Sequence, residues 1–177
     1  NLVTKITYVI IISLLLIIFN SFSESGNLFS NSFVSNSFTN FFKILILLGT
    51  MFVMLITQRF IKEIKINYFE YTLLLLFSVL GMFFMISSND LMSFYLGLEL
   101  QSLALYILAS IDRDNLKSNE SGIKYFVLSA LSSGLLLYGC SLLYGFTGST
   151  NFDEINLRME IENTGAIFAM VFILVGL

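Results

Sequence analysis

The sequence predicts an all-α membrane protein, a polytopic bundle built from six apolar segments. Three observations carry this expectation. Of 177 residues, 56% are hydrophobic and only 12% are charged, whereas an ordinary soluble domain has about 25% charged residues. Mean hydropathy is +0.87. Most of the apolar runs approach the roughly 20 residues that a spanning helix needs, and with no proline anywhere such helices should run largely unbroken.

The first segment, residues 6–19, reads "ITYVIIISLLLIIF". Lys5 precedes it, as in a signal peptide, but no small-residue cleavage site follows, so it is read as a first spanning helix. A Ser/Asn-rich loop over 20–40 comes next. Its phenylalanines place it at the membrane interface or against a neighbour. The second and third segments cover 41–57 and 68–88, the fourth 91–110 and the fifth 123–146. The first two are short and borrow flanking residues or tilt less. The sixth begins near Gly165 and is still apolar at Leu177, giving a run too short to span comfortably.

Charges in the connections orient the bundle. Lys5 precedes the first helix, Arg59, Lys62 and Lys65 follow the second, and Arg113 and Lys117 follow the fourth. These regions alternate with the others and so fall on one side, which holds six of the nine basic residues. The opposite side carries Ser/Asn, the short "SSND" and the acidic "STNFDEINLRMEIEN". The positive-inside rule puts the basic side and the N-terminus in the cytoplasm or mitochondrial matrix.

Much chemistry is excluded. Cys140 is the single cysteine and there is no histidine. A Cys/His or Ser/His pair is therefore absent, and a metal site from this chain alone is not expected. No Gly-rich phosphate loop or dinucleotide fingerprint occurs. Net charge is −3, with no basic patch suited to nucleic acid.

Glu99 lies inside the fourth apolar segment, where a charged side chain costs about 2.5–3.5 kcal/mol on insertion scales. Tyr95, Glu99, Ser102 and Tyr106 follow i, i+4, i+7, i+11 spacing and share one helical face. That polar stripe should face protein or water rather than lipid, and it can hold water and relay protons. The competing reading is a structural hydrogen bond between helices. Lys124 lies near the start of the fifth segment. Its own stripe, Leu128, Leu131 and Leu135, offers no polar partner, and from that position it can snorkel to the interface. Ser129, Ser132, Ser133, Gly134 and Gly139, with Ser78 and Gly81 on the third helix, suit close packing between helices. Asp90 suits an N-cap of the fourth helix, and Asp112, Arg113 and Asp114 a solvated loop cluster.

At this point "LFSVLGMFFMISSNDLMSFYLGLELQSLALYILAS" and "DRDNLKSNESGIKYFVLSALSSGLLLYGCSLLYGFTGSTNF" together closely resemble the subunit 2 family (bacterial chain N) of proton-pumping NADH:quinone oxidoreductase, respiratory complex I. The resemblance covers residues 68–177 well and 1–67 only by hydropathy. It implies N-terminal helices over 1–67 and an antiporter-like repeat, incomplete at its C-terminus, over 68–177. It makes Glu99 the membrane carboxylate of the "LELxSL" motif and places Lys124, from the "KY" motif, along the proton route. Quinone reduction elsewhere drives charge along a hydrated axis, by coupling between neighbouring titrations. The resemblance implies no cofactor in this chain, with FMN, iron–sulfur clusters and ubiquinone elsewhere in the complex. Its partners are other membrane-arm subunits and phospholipid, with no nucleic acid.

Family members carry more helices than the five and a half read here, and the next lysine-bearing helix would follow Leu177. A split subunit, completed by a second polypeptide, is therefore expected, against a truncated chain. The split and a Phe/Ile/Asn-rich composition point to an organelle genome, hence the mitochondrial inner membrane with the N-terminus on the matrix side. Competing functions are a related multisubunit cation/proton antiporter, a membrane-bound hydrogenase component, or a non-pumping structural half-subunit.

Overall fold

The structure, a computed structural model, describes residues 2–64, 68–159 and 164–177. Apolar runs without proline fold as long helices: α1 (Leu2–Asn20), α2 (Ser37–Ile64), α3 (Tyr68–Ser87), α4 (Leu91–Ala109) and α5 (Leu116–Thr147). A short α6 (Phe152–Arg158) and an apolar α7 (Thr164–Gly176) follow. Five of these are long and apolar enough to cross a membrane. At 32 residues, α5 is ~48 Å long at 1.5 Å per residue and overshoots a hydrocarbon core of ~30 Å. The 13 residues of α7 fall short of it.

Two features depart from the expected outline. The Ser/Asn-rich loop contains an antiparallel hairpin, β1 (Gly26–Leu28) with β2 (Phe33–Ser35). Phe33 packs on Phe84 of α3 with ring centroids 5.7 Å apart, so this phenylalanine serves a neighbouring helix as expected. The acidic connection after α5 also folds, as α6, with Asn151 as N-cap and an Arg158–Glu154 pair along it. Each element closes most of its own backbone bonds locally, and partners distant in sequence tie both to the rest of the bundle.

Those partners meet at one end of the bundle. Asn89 N–H donates to Ser32 O, Leu91 N–H to Thr150 O and Phe152 N–H to Asn89 O, at 2.8, 2.9 and 3.1 Å. The Asp153 carboxylate accepts from the amides of Asn89 (2.9 Å) and Asn31 (3.2 Å). At the other end Arg113 pairs with Glu70 at 3.2 Å, and Gln58 donates to the Tyr8 hydroxyl. The expected segregation of loops to two ends is thus observed. Lys65 and the acidic Glu160 and Glu162 lie outside the described residues.

Helices meet closely where glycine permits it. A Cβ on Gly81 would stand 2.6 Å from Gln101 N and 2.7 Å from Gly97 O, and one on Gly97 would stand 2.8 Å from Met85 N. Any larger residue at either position forces α3 and α4 apart. The buried side chains form two clusters. Ile11, Leu47, Met54, Leu75 and Val79 join α1, α2 and α3. Leu91, Leu136, Cys140, Leu143, Ile155 and Ala169 join α4 to α7. Because α3 supplies both Leu75 and the Gly81 contact, it links the two halves.

Candidate functional site

The site is built on α4. Asp90 starts this helix as the N-cap: its side chain accepts from the N–H of Met92 (2.8 Å) and Ser93 (3.3 Å). Its other oxygen accepts from the Thr150 hydroxyl at 2.5 Å, which ties the start of α4 to the end of α5. From that fixed start the helix sets the direction of each later side chain. At about 100° per residue, Gly97 and Gln101 fall on the side pressed against α3. Tyr95, Glu99, Ser102 and Tyr106 fall on roughly the opposite side.

That stripe faces α5, as a stripe seeking protein should. Tyr106 is 6% exposed, and its hydroxyl is hydrogen-bonded to Ser129. Its ring meets Tyr125 edge-on at 4.9 Å and Phe126 at 5.8 Å. Tyr95 lies close to Ser133 and to Glu99, and it packs on the buried cluster of α4 to α7. Ser102 donates to Leu98 O, one turn back, at 2.7 Å. Glu99 lies between Tyr95 and Tyr106 along the helix, so the α5 stretch passing it runs from Ser129 to Ser133.

One oxygen of Glu99, Oε1, is buried and has no hydrogen-bond partner among the described residues. No ion pair there involves Glu99 either. An unsatisfied buried polar atom costs about 1–3 kcal/mol, and more when ionised. A buried acceptor left in this way calls for a donor beside it, such as an ordered water.

Lys124 is placed differently. Its Nζ donates to Glu120 at 2.5 Å, one helical turn away, and both side chains are more than 60% exposed. The structure therefore brings Tyr95, Glu99, Ser102 and Tyr106 together and leaves Lys124 outside the group. Exposed Leu128 and Leu131 share its face of α5. Sequence reading missed the roles of Ser129, Ser132 and Ser133. Ser132 donates to Gly176 O of α7 at 2.7 Å, while Ser129 and Ser133 serve the two tyrosines. Their sequence signal was serines at i and i+4 on the helix that follows the stripe. Among the glycines singled out for packing, Gly139 does meet α7, but a Cβ on Gly134 would meet nothing within 4 Å.

Residues 88–177 match the family described as "NADH:quinone oxidoreductase/Mrp antiporter, TM". The chain belongs to this family. Its matched half contains α4, α5 and the whole Glu99 stripe. The chain is 58% identical over 168 residues to NADH-quinone oxidoreductase subunit N of Pelagibacter ubique (strain HTCC1062), covering 95% of this chain and 36% of that protein. It thus spans about a third of the length of this relative. Among solved structures, respiratory complex I from Thermus thermophilus with bound aureothin contains a similar chain. The TM-score is 0.77 at 28% identity, over 94% of this chain and 35% of that one. The Mrp complex from Dietzia sp. DQ12-45-1b matches the fold with TM-score 0.77 at 22% identity, over 99% of this chain and 35% of that one. A multi-pass membrane protein with antiporter-like helices follows from the family. The reported relatives are named subunit N, so the number 2 expected for the subunit is not established by them.

Proposed function

We propose that the chain works in the membrane arm of a proton-pumping NADH:quinone oxidoreductase. There Glu99 takes up and releases the translocated proton. The observation that carries this is the buried, unpartnered Oε1 of Glu99 on a stripe that faces protein instead of lipid. Ionisable residues at such depth mark ion or proton routes. The family's NADH:quinone oxidoreductase relatives support the setting. Tyr95, Ser102 and Tyr106 support the carboxyl, and Lys124 acts at the basic end of the route. The redox groups FMN, iron–sulfur clusters and ubiquinone belong to other parts of the complex.

The chain's 36% share of its relative implies that a larger unit completes the route. The sequence reading expects a second polypeptide to supply it. The mass of the intact native polypeptide separates this from a single long chain, since a mass well above 20 kDa contradicts a split subunit. Other membrane-arm subunits and phospholipid cover the exposed apolar faces. The basic end faces the compartment from which protons are taken. Bacterial relatives favour a bacterial plasma membrane. The mitochondrial inner membrane, expected from composition, has no support from them.

Replacing Glu99 by Gln tests the reading in the assembled complex. Coupled proton movement should fall about a hundredfold or more, the low end of what a positioned proton-transfer group contributes. Unchanged movement with normal assembly would instead make the chain a scaffold. A cation/proton antiporter is the second reading, favoured by the Mrp part of the family and the shared fold. It requires sodium-linked transport without NADH oxidation, and the 58% identity to an NADH-quinone oxidoreductase subunit weighs against it.

A further inference from the structure

Lys43 is a cation placed where the chain largely avoids positive charge. Six of the nine basic residues lie in connections at the basic end, whereas Lys43 belongs to the first turns of α2, toward the hairpin end. The other basic residue toward that end, Arg158, is paired with Glu154. Among the described residues Lys43 takes part in no ion pair. Two carboxylates of that end are engaged elsewhere: Asp90 by Met92 N–H and Thr150, Asp153 by Asn89 and Asn31. Glu24 stands exposed just beyond α1 and does not reach Lys43.

The helix fixes the depth and the face of this lysine. The apolar span of α2 begins at Ser37, so Lys43 lies about 9 Å along it at 1.5 Å per residue. Thr39, Asn40 and Leu47, at i−4, i−3 and i+4, are all buried, and Lys43 shares their row. It is itself half-buried. One turn before it, the Asn40 amide donates to Ser21 O at 3.2 Å, which holds the end of α1 beside this part of α2. The flanks at that level are apolar, with Phe19, Phe41 and Phe42 exposed. A lysine so placed carries its ammonium along its own stem toward the interface. The group at that level of a bilayer is a lipid phosphate.

We infer that Lys43, beside the junction of α1 and α2 at Asn40, binds the phosphodiester of an anionic phospholipid. The acyl chains lie along the apolar flanks at Phe19 and Phe42. Charge selects this occupant, because a zwitterionic lipid carries its own ammonium near the phosphate and gains less from a second one. The attraction of one lysine for an anionic headgroup corresponds to about a fivefold preference. The site requires the membrane setting of the family and is independent of the role of Glu99, which lies on another helix.

The test uses the full-length protein in its native complex, reconstituted into phosphatidylcholine nanodiscs. A trace of photoreactive phosphatidylglycerol or phosphatidylcholine, labelled in identical acyl chains, is added. Light-induced adducts on residues 16–23 and 38–46 are then counted by mass spectrometry. Phosphatidylglycerol should label these segments about fivefold more than phosphatidylcholine. Lys43→Gln should bring the ratio near one, Lys43→Arg should keep it, and Glu24→Gln should leave it unchanged. The site is overturned if the ratio is near one with Lys43 in place, or if Lys43→Gln keeps the preference. A preference that emerges only in Glu24→Gln would make Glu24 the partner of Lys43. A carbodiimide cross-link from Lys43 to a carboxylate of a neighbouring subunit would give the position to a protein. Either result also overturns the site. Coupled proton movement should be unchanged in Lys43→Gln, so this site and the proton role of Glu99 fail separately.

Discussion

Glu99 and Lys124 carry opposite charges and meet opposite surroundings. The carboxylate has a buried, unpartnered oxygen, whereas the ammonium pairs with Glu120 in the open. An exposed i,i+4 pair stabilises a helix by only about 0.3–0.5 kcal/mol. Lys124→Met should therefore assemble normally and lose less proton movement than Glu99→Gln. Equal losses in the same vesicle assay would contradict the ranking. The stripe itself was legible because helical spacing alone puts Tyr95, Glu99, Ser102 and Tyr106 on one face. Their partners were not legible. That Tyr106 meets Ser129 depends on which helix lies alongside and at what axial offset, and neither is written in a single helix's pattern.

Helices were read correctly wherever hydrophobicity decides them, but their ends were not. The structure carries α2 on to Ile64 and starts α5 at Leu116, through polar residues that composition excluded from the apolar runs. Asp90 was legible as a cap, because a cap is a local device. Its bond to Thr150 was not, being 60 residues distant in sequence. Asp90→Ala removes both contacts and should cost about 1–2 kcal/mol, seen as a lower melting temperature of the detergent-solubilised protein; an unchanged melt would show that the cap and clamp contribute little. The Gly81–Gly97 contact lets α4 lie flat on α3 with its stripe turned away. Gly97→Leu should destabilise by about 1–3 kcal/mol through overpacking, again read by thermal melting. A neutral result would mean that α3 and α4 can separate freely.

Across the whole molecule, one buried cluster joins α1 to α3 and another joins α4 to α7, and the loops at the hairpin end are laced by hydrogen bonds across three connections. At the basic end the described residues include the Gln58–Tyr8 bond and the exposed Arg113–Glu70 pair. Surface pairs of this kind contribute roughly 0–1 kcal/mol. Alternating basic loops made the two ends legible, because loop charge reflects insertion. The hairpin and α6 stayed hidden, because short polar elements carry no apolar periodicity to mark them. The central claim is that Glu99 changes protonation as the complex works. Difference infrared spectroscopy of the working complex in the carboxyl C=O region tests it most directly. The account predicts a band that appears or disappears on turnover and is lost in Glu99→Gln; an identical difference spectrum in that variant would contradict it.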